Sequence, residues 1–146
     1  MTWAAARLLR AASAALLLGL VALAGCASPK RDECRALSTM MNQTADRVDK
    51  AQASALDPSG LKALADALDK SATEAEALKL TVPDLQKHAK AYAALNRDVA
   101  KTAREMAAAG EASDRAKAEA AGDAMEKIVA NEPKLVGEVN KLCLAE

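Results

Sequence analysis

From residue 32 onward, apolar or small residues recur three and four positions apart, with charged residues filling the positions between. Spacing of that kind gathers apolar side chains on one face of an α-helix. A first run carries Cys34, Leu37, Met41, Thr44, Val48, Ala51 and Ala55. A second carries Leu61, Leu64, Leu68, Ser71, Ala75 and Leu78, and a third Leu85, His88, Tyr92, Leu95, Val99, Thr102 and Met106. A fourth carries Ala118, Ala121, Met125, Ile128, Leu135, Val139 and Leu142. No stretch of any length alternates with the period of two that a half-buried strand requires.

Turn chemistry separates the runs. In Leu56–Gly60, Asp57 before Pro58 has the form of an N-cap followed by proline at the first helical position. In "LTVPD", Thr81 is expected to cap a helix entered through Pro83. Ala109-Gly110 is the expected C-cap of the third run, and Ser113 or Asp114 the start of the fourth. Pro133 falls inside that fourth run and should kink it, because proline removes a backbone donor and crowds the preceding turn. Four amphipathic helices on short connections predict an all-α fold, an antiparallel up-down-up-down four-helix bundle over residues 32–146. The seam spacing fits shallow, left-handed crossing.

The segment before the bundle is of another kind. Arg7 and Arg10 precede a wholly uncharged stretch, Ala11–Ala24, of 14 residues. That is short of the ~20 residues that cross a bilayer as a helix, and its form is that of a secretory signal. At its end, Leu23-Ala24-Gly25-Cys26 resembles the lipobox of bacterial lipoproteins. The resemblance implies that residues 1–25 are a signal peptide cut before Cys26, whose thiol carries a diacylglycerol and whose amine is acylated, with palmitate as a typical chain. Residues 26–31 then form a lipidated tether, with Pro29 opposing helix there. Ala27 and Ser28 lack the aspartate that retains many such proteins at the inner membrane, which favours the periplasmic face of the outer membrane. Two or three acyl chains, at ~0.8 kcal/mol per buried methylene, hold a protein to a bilayer where one chain alone does so only marginally.

Composition adjusts this picture in three ways. The chain has 20 basic and 20 acidic residues, and loss of Arg7 and Arg10 leaves a slight acidic excess. Nucleic acid, which wants a basic face, is not an expected partner. There is no Phe, the one Trp is Trp3, and Tyr92 is the one Tyr, so the core must be built from Ala, Leu, Val and Met. With Cys26 acylated, Cys34 and Cys143 remain, and an oxidising periplasm favours their pairing. The bundle topology places the start of the first helix and the end of the last at one pole, which favours the same pair. Two buried free thiols or a metal-binding pair are the alternatives.

Catalytic chemistry is absent from the pattern: there is no nucleophile elbow, phosphate loop, metalloprotease helix or Cys-x-x-Cys. The expectation is a protein that is not an enzyme and needs no cofactor. His88 and Met41 are the two residues that argue otherwise. At comparable heights on the third and first seams, they give the chain a similarity to four-helix-bundle cytochromes that hold haem between a His and a Met. That similarity implies a carrier or sensor binding haem or metal, although the two helices would be diagonal and an Ala-rich core leaves little room. Glu132 occupies a seam position, and a lone buried carboxylate is costly, so it should turn outward or pair with Lys or Arg. The leading expectation is a membrane-anchored periplasmic scaffold or protein-binding module. Cys26 meets the lipid bilayer, and an envelope protein meets the loops around Asp57–Gly60 and Ala109–Ser113.

Overall fold

The computed structural model describes residues 29–52 and 57–145. The expected signal peptide, Cys26 and the seam residue Ala55 lie outside the described residues. The chain forms α1 (Pro29–Gln52), α2 (Pro58–Ala77), α3 (Pro83–Glu111), α4 (Arg115–Val129) and α5 (Glu132–Leu144). The fold is all-helical, with no strand among the described residues. The four apolar patterns correspond to α1, α2, α3 and the α4–α5 pair.

Proline explains both the entry and the interruption. α1 begins at Pro29, inside the stretch expected to be a tether, because a first-turn proline has no intrahelical donor to lose. At Pro133 the fourth pattern breaks outright where a kink was expected. The Asn131 N–H turns back to the Ile128 carbonyl at 3.1 Å, a tighter turn than the α-helix makes. The Asn131 amide donates to the carbonyls of Lys127 and Ile128, covering acceptors left open at the end of α4.

Asp57 caps α2 as expected, accepting from the Gly60 N–H at 2.8 Å and from the Ser59 hydroxyl at 2.8 Å. Asp114 caps α4 through the Lys117 N–H at 3.1 Å. Thr81 does not cap α3: the N-cap is Val82, which offers no side-chain acceptor. Glu33 of α1 supplies the carboxylate instead. It accepts from the N–H and hydroxyl of Thr81 at 2.9 and 2.5 Å, and from the Val82 N–H at 3.0 Å. An anion there also meets the positive end of the α3 dipole.

Gly110 does not end α3 either. The helix runs on to Glu111, and Ser113 takes the left-handed position at φ 53°. The Asp114 N–H reaches the Ala109 carbonyl at 2.8 Å and the Ser113 N–H reaches Gly110 at 3.1 Å, the paired bonds of a Schellman end. Gly110 has another use. A Cβ there would come within 3.2 Å of Pro58 Cγ, so its absence lets the first turn of α2 lie close against the last turns of α3.

α2 and α3 share the largest interface, α3 and α4 the next, and α1 packs mainly on α2. Ion pairs show α2 and α3 to be antiparallel. Lys62 pairs with Glu111, Asp66 and Asp69 with Arg104, and Glu76 with Arg97. Between them lie Ala65, Ala72 and Ala75 of α2 and Ala89, Ala93, Ala100, Ala103 and Ala107 of α3, all buried. Small side chains at a contact let helix axes approach closely.

The core falls into two clusters. One joins Cys34, Leu37, Met40 and Met41 of α1 with Ala72, Ala75, Leu80, Leu85, Ala89, Tyr92, Ala93 and Val139. The other joins Leu64, Ala65 and Leu68 with Val99, Ala100 and Ala103. Along α1, α2 and α3 the residues Thr44, Ser71 and Asn96 fall between the two, and all three are buried and polar.

Candidate functional site

Two places gather chemistry-bearing side chains. The first is the pole where α1 starts. Cys34 and Cys143 form a disulfide with an S–S distance of 2.08 Å and Cα atoms 5.7 Å apart, joining the first turns of α1 to the last turn of α5. One residue away, Glu33 caps α3. Hydrogen bonds from the Thr81 hydroxyl and the Val82 N–H hold its carboxyl below the ordinary range. Lys30 donates to the Ala145 carbonyl, tying α1 to the residue after α5 a second time. Three helix ends thus meet at this pole, the starts of α1 and α3 and the end of α5.

His88 and Met41 have different surroundings. Met41 is buried within the first core cluster. The His88 side chain is 15% exposed, and its Nδ1 lies 3.9 Å from Glu138 Oε2 of α5. Among the described residues no three His, Cys, Asp or Glu side chains are grouped to hold a metal ion.

The second place is the polar layer between the clusters. Tyr92 is 3% exposed. Burial pushes its phenol up, the Thr44 hydroxyl opposes that shift, the Glu132 carboxylate adds to it, and Asn96 opposes it. Thr44 donates to the Met40 carbonyl at 3.1 Å. Ser71 donates to the Ala67 carbonyl at 3.0 Å and accepts from Arg47 at 3.1 Å, and Arg47 also pairs with Glu74. Asn96 differs: its Nδ2 is buried and has no acceptor in hydrogen-bond geometry. Polar atoms in that condition are rare and costly.

A cavity of about 250 Å³ borders this layer. Thr44, Asp49, Tyr92, Asn96 and Glu132 are its polar lining residues, and Leu68 and Met125 are among its apolar ones. Glu132 neither turns fully to solvent nor pairs with Lys or Arg among the described residues. It stays half-buried beside the cavity, because the break at Asn131 starts α5 with Glu132 in its first turn. The seam pattern had singled out Tyr92 and Glu132 but not Asn96. The signal available was an amide in the interior of an Ala-rich helix, one turn after the one tyrosine.

No helix among the described residues is long and apolar enough to cross a membrane. No known protein family, curated protein or solved structure matches the chain.

Proposed function

We propose that this protein is a lipid-anchored, non-enzymatic helical bundle of the bacterial envelope that acts as a scaffold or protein-binding module. Residues 1–25 direct export, acylated Cys26 holds the chain to the periplasmic face of the outer membrane, and the helices form an antiparallel up-down-up-down bundle. The observation that carries this reading is the Cys34–Cys143 disulfide. It accounts for two of the three cysteines, leaving Cys26, at the end of the lipobox-like tetrapeptide, for acylation. It also lies eight residues from Cys26, so the locked pole is the pole nearest the lipid. Glu33 on Thr81 and Val82 supports the topology, since it brings the starts of α1 and α3 to one pole. The contact of Pro58 with Gly110 brings the start of α2 to the end of α3 at the other.

The pole away from the anchor carries Asp57–Gly60 and Ala109–Ser113, and it is the part held out to meet another envelope protein. Cross-linking in native membranes followed by copurification tests this. A partner captured by the unaltered protein should be lost when Ser59, Lys62 and Glu111 are replaced by alanine. If every captured partner is retained, the distal pole is not the binding surface. Cys26→Ser should abolish lipid labelling and leave the precursor uncut. Labelling that survives this change removes the anchor from the account.

A further inference from the structure

We propose that the cavity between the two core clusters is a binding site for a small amphipathic amine that also carries an oxygen acceptor. The wall is divided by chemistry. Leu64, Leu68, Val99 and Met125 supply an apolar side, and Thr44, Tyr92 and Asn96 a polar one. No Lys, Arg or His lines it, whereas two carboxylates, Asp49 and Glu132, do. Neither acid has a basic partner among the described residues. An anion therefore has nothing to pair with, and a cation meets two acids, one of them half-buried at Glu132.

The second observation is independent of charge. Asn96 is 4% exposed and is one of the residues lining the same cavity, and its Nδ2 has no acceptor in hydrogen-bond geometry. A buried donor left open costs free energy that a bound oxygen would recover. Size limits the occupant. About 250 Å³ equals the liquid volume of roughly eight waters at about 30 Å³ each, enough for one six-membered ring with a short chain. The ring lies against the leucines and Met125, the ammonium at Glu132 and the oxygen opposite Asn96. Val129, 40% exposed for a large apolar residue, also lines the cavity and offers an apolar approach to it. This site does not depend on the anchor or on a protein partner.

Tyramine is a probe with those three features, 4-ethylphenol lacks the charge, and 3-(4-hydroxyphenyl)propionate reverses it. The ¹⁵N-labelled full-length protein in detergent is titrated with each, following the Asn96 side-chain amide signals. Tyramine should shift them saturably. Glu132→Gln should weaken tyramine at least tenfold and leave 4-ethylphenol within threefold, and Asn96→Leu, followed through the backbone amide signals of Val99 and Met125, should weaken both. Met125→Trp, which fills the cavity, should abolish the titration while the helical circular dichroism persists. Unmoved Asn96 signals at millimolar tyramine, meaning a cavity that holds only water, would overturn the proposal. So would propionate binding as tight as the amine. The titration of the unaltered protein decides the matter even if a variant fails to fold.

Discussion

The two core clusters are built on different principles. The cluster around Leu37, Leu85 and Val139 has large side chains, a disulfide across it and a helix N-terminus capped from another helix. The cluster around Leu68 and Val99 is smaller, leans on alanine contacts between α2 and α3, and borders a cavity. Its helix ends carry local devices, the Asp57 and Asp114 caps and the Schellman turn at Ser113, together with two cross-helix contacts, Gly110 against Pro58 and Lys62 with Glu111. The covalent link and the cap delivered from another helix thus sit at one pole, and caps that each act on their own helix at the other.

The strongest way to erase the contrast is to remove the staple. The two cysteines are 109 positions apart, and closing a loop of about 100 residues stabilises by ~4.7 kcal/mol in the chain-entropy model. Replacing both Cys34 and Cys143 by serine should approach that loss in denaturant unfolding. Hydrogen exchange should accelerate first in α5 and the first turns of α1. If the distal half of α2 exchanged first, the asymmetry would be misassigned.

Core truncation sharpens the comparison. Leu37 is wholly buried in the stapled cluster, and Leu64 borders the cavity. Leucine-to-alanine changes in cores cost about 2–5 kcal/mol, depending on the void that results. Leu37→Ala should fall in the upper half of that range and Leu64→Ala in the lower, because Leu64 already lacks neighbours on one side. Equal costs in a urea titration would mean the two clusters are equally packed.

Asn96→Leu tests the polar layer. With no ligand present, exchanging an unsatisfied buried amide for an apolar group of similar shape should be neutral or stabilising by about 1 kcal/mol. A loss of 2 kcal/mol or more would mean that Asn96 is satisfied in solution.

The smallest expected effect is one of pH. The folded carboxyl of Glu33 lies below its ordinary value of 4.5, because Thr81 and Val82 donate to its charged form. That of Asp57 lies below 3.8, because the Gly60 N–H and the Ser59 hydroxyl donate to it. A depressed folded value means that the added stability is present above the ordinary value and is lost as pH falls through the folded one. Acid titration below about pH 4.5 should therefore loosen the start of α3, and Glu33→Gln should flatten that part of the profile. An unchanged profile in Glu33→Gln would show that the cap contributes no pH dependence.

The seams were legible because leucine, valine and methionine recur at helical spacing: Leu37, Leu64, Leu68, Leu85, Val99 and Val139 are all buried. Asp57 and Asp114 were legible as caps because each acts on its own helix. Glu33 was not, since a cap delivered from another helix leaves no local pattern. The alanine face of α3 was hidden for a different reason. Ala93, Ala100 and Ala107 are buried while Ala91, Ala94 and Ala108 are exposed, so alanine carries no contrast between inside and outside. Gly110 read as a helix stop, but its role is set by Pro58, 52 positions away in sequence. Glu132 was found by its seam position, but its surroundings depend on how the break at Asn131 starts α5.

Two cysteines lock the first and last helices, and the third is proposed to hold lipid. Peptide mapping by mass spectrometry, without reduction, on protein taken from its native membrane tests both most directly. One cross-linked peptide pair containing Cys34 and Cys143 is expected, with a separate acylated peptide beginning at Cys26. A disulfide from Cys26 to either partner, or an unmodified Cys26, would contradict it.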